Sequence, residues 1–187
     1  MLLIIDNYDS FTYNIVHYLE GMNYEVAVCK PDELTLRDVA ALNPKGIIIS
    51  PGPGHPLEAE FCLDVVSNYK GIYPILGICL GFQVIVTAFG GQVRQGIPVH
   101  GHQSVMNHDG KGIFEGLPMP INIGRYHSLQ AVMPIPDCLI VTAVADNIIM
   151  GVRHDALRIE AVQYHPESIL TDYGREQLNN FVKRYCR

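Results

Sequence analysis

Four short, almost continuous apolar runs in the first half of the chain, at 2–6, 24–29, 46–50 and 74–78, alternate with stretches of helical spacing. In one of those stretches, about 10–21, Phe11, Ile15 and Tyr18 recur at the interval of one helical face, with Leu19 beside them. Residues 35–42, 58–70 and 80–89 repeat the pattern. A strand that is apolar on both faces must be covered on both, and strands separated by helices pair in parallel. The expected fold is therefore α/β, with an open, mostly parallel sheet carrying helices on both faces. The second half is β-rich at 121–125, 138–145, 148–153 and 159–163, and a last helix is expected over 174–185. No repeat, linker or low-complexity segment divides the chain, so one domain over 1–187 is expected.

Bulk properties exclude several classes of partner. The net charge of −6 over 187 residues, with no cluster of Lys and Arg, argues against nucleic acid and against an anionic membrane surface. No apolar run is long enough to span a bilayer, and the start, Met1 to Asp6, lacks the basic residues of a signal peptide. Five cysteines form no CxxC pair, which fits free thiols in a reducing cytoplasm.

Sheets of this kind place reactive groups in the loops beyond the carboxyl ends of their strands. Cys79 stands there, at the end of a buried run and the start of a helix, with Gly77 and Gly81 two residues to either side. This is the pattern of a nucleophile elbow, in which small residues let the chain turn sharply. A helix N-terminus favours thiolate over thiol, and the N–H of Leu80 points where an oxyanion would develop. Taken alone, Cys79 also reads as a small buried apolar residue.

The third run leads into Ser50-Pro51-Gly52-Pro53-Gly54. The prolines stiffen this loop and have no N–H, so Gly52 and Gly54 are its donors. Such a loop suits a second oxyanion contact, although a tight turn without a ligand has the same composition.

Near the end of the chain, Pro166 disfavours helix for His165, and an extended backbone would set Glu167 on the same side as the imidazole. Glu167 would then orient the ring and stabilise its cation, giving a Cys79–His165–Glu167 triad.

These elements resemble the class I (triad) glutamine amidotransferases, specifically the glutaminase subunits of anthranilate synthase and aminodeoxychorismate synthase. The resemblance rests on Asp6-Asn7-Tyr8-Asp9-Ser10-Phe11-Thr12-Tyr13-Asn14, the 50–54 loop, Gly77-Ile78-Cys79-Leu80-Gly81-x-Gln83, Arg125-Tyr126-His127-Ser128-Leu129 and His165-Pro166-Glu167-Ser168, in family order over nearly the whole chain. It implies a flavodoxin-like sheet and L-glutamine as substrate, bound as a glutamyl thioester on Cys79. It also implies glutamine or oxyanion contacts from Gly52, Pro53, Gly54, Leu80, Gln83, Ser128 and Leu129. The ammonia would pass to a chorismate-binding synthase subunit, and no cofactor is expected.

Two positions depart from the family pattern. Phe82 stands where the chorismate-linked subunits usually carry His, and His102 stands where they usually carry Lys. The second puts the partner contact in question more than the glutaminase chemistry. His100, His102 and His108 have no cysteine or carboxylate at ligand spacing, so no metal is expected. Three alternatives stay open: an amidotransferase for a different acceptor, a cysteine-elbow hydrolase or peptidase of similar topology, and a non-enzymatic binding module.

Overall fold

The computed structural model describes residues Met1 to Arg187. In chain order the elements are β1 (Leu2–Ile5), α1 (Thr12–Glu20), β2 (Val26–Cys29), α2 (Leu36–Leu42), β3 (Ile47–Ile49), α3 (Glu60–Tyr69), β4 (Ile75–Ile78), α4 (Leu80–Ala88), β5 (Gln92–Gln95), β6 (His102–His108), β7 (Ile121–Arg125), β8 (Leu129–Val132), β9 (Ile140–Ala145), β10 (Ile148–His154), β11 (Ile159–Val162) and α5 (Gly174–Tyr185).

Nine strands form one sheet in the order β2-β1-β3-β4-β11-β10-β9-β6-β7, and β5 and β8 form a separate ribbon. The first four strands and β11 are parallel. From β11 outward every pairing is antiparallel, so the β-rich second half extends the first sheet.

Both faces are covered, as the unbroken apolar runs require. Leu2 and Ile4 face α1 and α5, packing with Ile15, Leu19, Leu178 and Phe181. Leu3 and Ile5 point to the other side, where α2, α3 and α4 contribute Val39, Val65, Val66, Val84 and Ile85. Local signals delimit the helices. At α2, Thr35 accepts from the Asp38 N–H and Asp38 accepts from the Thr35 N–H, a capping box, and Asn43 ends the helix at φ 43°. The helical pattern at 58–70 is divided by Ala59, with a 3-10 turn over Pro56–Glu58 before α3.

Strands β5, β6 and β8 carry no clear alternation in the sequence. In β6 the inward residues are Ser104, Met106 and His108. The two polar ones are satisfied internally, Ser104 by Asp146 and His108 by the Pro118 carbonyl. Polar residues on the inner face conceal the period of two.

One pairing positions the chemistry. β11 lies parallel to β4 with Val162 opposite Ile78, so both strands end at the same edge. The residue after β4 is Cys79, and the turn after β11 contains His165.

Candidate active site

Cys79 adopts φ 54°, ψ −100°, a backbone conformation that costs a non-glycine residue on the order of 1–3 kcal/mol. The flanking structure enforces it. The Cys79 N–H donates to the Val162 carbonyl at 2.8 Å, and α4 starts at the next residue. A Cβ at position 77 would lie 2.4 Å from the Gly81 carbonyl oxygen, and one at position 81 would lie 2.3 Å from that of Ile49. Both neighbours are backbone, so the glycines are obligatory for the turn that lifts the sulfur out of the sheet.

The 50–54 loop is locked to the segment after β1. The Asn7 N–H donates to Ser50 Oγ at 2.9 Å, and its Nδ2 donates to the Ser50 carbonyl at 3.1 Å. A Cβ on Gly52 would fall 2.5 Å from Asn7 Cβ, so the two segments touch backbone to backbone. The N–H groups of Gly52, Gly54 and Leu80 donate to no other group of the chain, which leaves them for a ligand. Leu80 lines a neighbouring cavity of about 370 Å³ that does not include Cys79, and its side chain packs against Gly52.

His165 and Glu167 come together through a turn, not through strand alternation as the sequence suggests. The Ser168 N–H closes back on the His165 carbonyl at 3.1 Å, and the turn sets His165 Nδ1 2.6 Å from Glu167 Oε1. The Pro166 carbonyl packs where any Cβ on Gly174 would be, at 1.7 Å, so glycine at 174 is what lets α5 approach the turn. The His165 N–H bonds the Gly124 carbonyl, and Thr171 Oγ1 donates to the His165 carbonyl. The rings of Phe11 and Tyr126 meet the imidazole edge-on at 5.2 and 5.0 Å between centroids.

The Cys79 sulfur lies close enough to the imidazole to act on its charge, and the buried His165 Nε2 has no hydrogen-bond partner within the chain. Burial opposes charging His165, but the Cys79 sulfur and the Glu167 carboxylate outweigh it and raise its pKa well above the ordinary histidine value. An imidazole held toward its cationic form beside the sulfur, with a carboxylate behind it, is the arrangement that activates a cysteine nucleophile.

A cavity of about 180 Å³ opens on Cys79, lined by Gly52, Pro53, Gly54, Gln83, Tyr126, His127, Ser128 and Leu129. It therefore gathers all the sequence-predicted contact residues except Leu80. The volume is well below the roughly 300–1,000 Å³ of sites for larger ligands and suits a single amino acid. No group of three or more His, Cys, Asp or Glu side chains is arranged to hold a metal ion.

Three participants are not evident from the sequence. Gln163 is fully buried and donates from Nε2 toward Cys79 Sγ at 3.7 Å. Asn7 fastens the loop, as described above. His127 braces the far wall: its Nδ1 donates to the Leu129 carbonyl at 2.9 Å, and its Nε2 accepts from Arg125 Nε at 3.1 Å. The only sequence signal for His127 is its place in the Arg125–Leu129 stretch.

Burial, with Arg125 and His165 nearby, lowers the His127 pKa to about 4. A histidine depressed in the fold contributes stability above its unfolded value near 6.5 and loses it as pH falls through about 4. Unfolding followed by urea between those limits should show stability falling with acid by at most about 3 kcal/mol, and His127→Asn should flatten that slope. An unchanged slope in the variant would contradict the assignment.

Comparison with known proteins agrees with this geometry. Residues 3–185 match the family described as glutamine amidotransferase class-I. The chain is 47% identical to anthranilate synthase component 2 of Pseudomonas putida, over 98% of this chain and 97% of that protein. It is 48% identical to aminodeoxychorismate synthase component 2 of Escherichia coli, over 98% of this chain and 100% of that protein. In the multifunctional tryptophan biosynthesis protein of Schizosaccharomyces pombe, 46% identical, the match covers 97% of this chain but only 25% of that longer protein. Among solved structures, a putative GMP synthase component from Thermoplasma acidophilum superposes with a TM-score of 0.86 at 27% identity, covering 97% of this chain and 92% of that one. The sheet order, the cysteine elbow and the match across nearly the whole sequence lead to one conclusion: the chain belongs to the class-I glutamine amidotransferases.

Proposed function

We propose that this chain is a single-domain glutaminase subunit that hydrolyses L-glutamine and delivers ammonia to a chorismate-utilising synthase subunit in the cytoplasm. The observation that carries the reading is a cysteine in the wall of a cavity sized for one amino acid, with the hydrogen-bonded His165–Glu167 pair acting on its sulfur from behind that wall. In this reading the Cys79 thiolate attacks the side-chain carboxamide of glutamine, and the N–H groups of Leu80 and Gly52 receive the oxyanion. His165 gives its proton to the departing nitrogen, so ammonia leaves as the C–N bond breaks and a glutamyl thioester remains. His165 then takes a proton from water, the C–S bond breaks and glutamate is released.

Gln83, Ser128 and Leu129 contact the substrate's amino-acid end, with Pro53 and Gly54 shaping the other wall. Ammonia freed into neutral water is mostly protonated and no longer nucleophilic, which is the chemical reason for a docked acceptor subunit. The component 2 names of the bacterial relatives support that partner and leave two products in view, anthranilate and aminodeoxychorismate. A peptidase reading is disfavoured by the small cavity, which has no room for chain on both sides of a scissile bond.

Identifying the product that the copurified synthase subunit makes from chorismate and glutamine tests the assignment. Glutamate release should rise on the order of tenfold or more when that subunit docks, because docking sets the 50–54 loop against the oxyanion. Equal rates with and without it would contradict the coupling.

A further inference from the structure

Gln163 and Gln83 form a continuous hydrogen-bonded relay beneath the cavity. Gln83 Nε2 donates to the Leu129 carbonyl and to Gln163 Oε1, each at 3.3 Å. Gln163 Nε2 in turn donates toward Cys79 Sγ at 3.7 Å, a normal reach for a sulfur acceptor. Gln163 is 0% exposed and its N–H donates to the Met150 carbonyl, so its side chain has little freedom to face elsewhere. The relay also fixes the amide of Gln83: with its nitrogen committed to Leu129 and Gln163, its Oε1 is the end left to accept from a ligand amino group.

We propose that Gln163 is a further catalytic residue of this site, an uncharged donor that stabilises the anionic Cys79 sulfur while holding the acceptor end of Gln83 toward the substrate. The proposal rests on the reading of Cys79 as the nucleophile. During acylation the sulfur electron pair becomes the S–C bond, the C–N bond breaks, and His165 supplies the proton to nitrogen. Gln163 transfers nothing in this step. When water opens the thioester, the C–S electron pair returns to sulfur, and the Gln163 N–H meets the charge as it forms. His165, having just taken a proton from water, meets the same charge as a cation but gives that proton up later. A donor that cannot titrate keeps the leaving thiolate stabilised throughout.

The test uses the full chain carrying Gln163→Met, which keeps the length and removes the donor, and Gln163→Glu, which keeps the shape and sets a carboxylate against the sulfur. Iodoacetamide alkylation of Cys79, followed by peptide mapping across about pH 5 to 9, reports the thiolate directly. Glutamate release reports kcat and KM. The expected result is a rise in the pH of half-maximal alkylation in both variants, larger for Gln163→Glu, with kcat lower by about 10- to 100-fold in Gln163→Met. A role in packing alone would change thermal stability and leave the alkylation profile in place. Should Gln163→Met fail to fold, the same-shaped Gln163→Glu decides by the same two readouts. Folded variants with wild-type alkylation profiles and kcat overturn the proposal. Undiminished glutamate release in Cys79→Ala would instead overturn the nucleophile assignment, a separate and distinguishable failure.

Discussion

Replacing His165 with alanine should lower glutamate release, measured with the synthase subunit present, by about 10³-fold or more. The imidazole is asked for two services at one atom. Its proton must reach the departing nitrogen, because an amide anion is too poor a leaving group to depart from the tetrahedral adduct. It must then accept a proton from water for thioester hydrolysis. The imidazole is also the group beside the sulfur that can take its proton, so the variant loses nucleophile activation and acid together. Cys79→Ala should abolish the covalent route and reach the same floor, since the two residues act as a unit.

Glu167→Ala should fall short of that floor, with a loss of roughly 10- to 100-fold. Phe11, Tyr126 and the bond to the Gly124 carbonyl still hold the His165 segment when the carboxylate is gone. Initial rates of the three variants, at the same enzyme and partner concentrations, give the ranking. Complete loss in Glu167→Ala, or appreciable activity in His165→Ala, would reverse it.

The largest change in stability should follow Arg153→Met. Arg153 is 2% exposed and joins three parts of the chain. Its Nε donates to Glu160 Oε1 at 2.8 Å, its Nη1 to Asp109 Oδ2 at 2.8 Å and its Nη2 to the Lys111 carbonyl at 2.7 Å. Glu160 is itself fully buried, with Tyr185 Oη and the Ile113 N–H donating to the same oxygen. Gly112, at φ 59°, closes the cluster so tightly that a Cβ there would fall 1.9 Å from that oxygen.

Methionine fills the volume but leaves the carboxylate buried without its cation, a situation that typically costs about 3–5 kcal/mol. In a chain of this size that corresponds to roughly 10 °C in Tm. Burial pushes the Glu160 carboxyl up to about 7 even beside Arg153, and without the guanidinium it should rise further. A carboxyl raised in the fold contributes stability below its unfolded value near 4.5 and loses it as pH rises through the folded value. The variant should therefore weaken progressively toward alkaline pH, and Glu160→Leu added to it should restore much of the loss. Urea denaturation at two pH values measures all of this. A destabilisation under about 1 kcal/mol at alkaline pH would refute the account of the cluster.

These two predictions stand on parts of the protein that differ in how openly the sequence displays them. The apolar runs of β1, β3 and β4 announce a sheet buried on both sides, and that much follows from composition at each position. Gly77 and Gly81 announce the elbow, because only a close backbone approach explains glycine on both sides of a cysteine. His165 and Glu167 are legible as a pair, but strand alternation is not what joins them. A turn closed by Ser168 brings them together, and turn geometry depends on what lies against it, here Gly124, Thr171 and Gly174.

What the sequence conceals is mostly polar and long-range. Ser104 on β6 meets Asp146, 42 residues away, and Gln163 meets Gln83, 80 residues away. Such partners satisfy buried polar groups in ways that no local pattern records. The departures also read differently in the fold. Phe82 is fully buried among apolar neighbours of α4, so its replacement of His is a matter of core packing. His102 is exposed on β6, opposite Arg125 on β7, so its side chain lies on the surface.

The central claim is that the Cys79 sulfur becomes covalently bonded to the substrate. The direct measurement is mass spectrometry of the full chain, mixed with glutamine, quenched in acid within the first turnovers and digested. The account predicts a glutamyl adduct on the peptide containing Cys79 alone, absent from His165→Ala and released by hydroxylamine. Glutamate production without any adduct on that peptide, or an adduct on Cys29, Cys62, Cys138 or Cys186 instead, would contradict it.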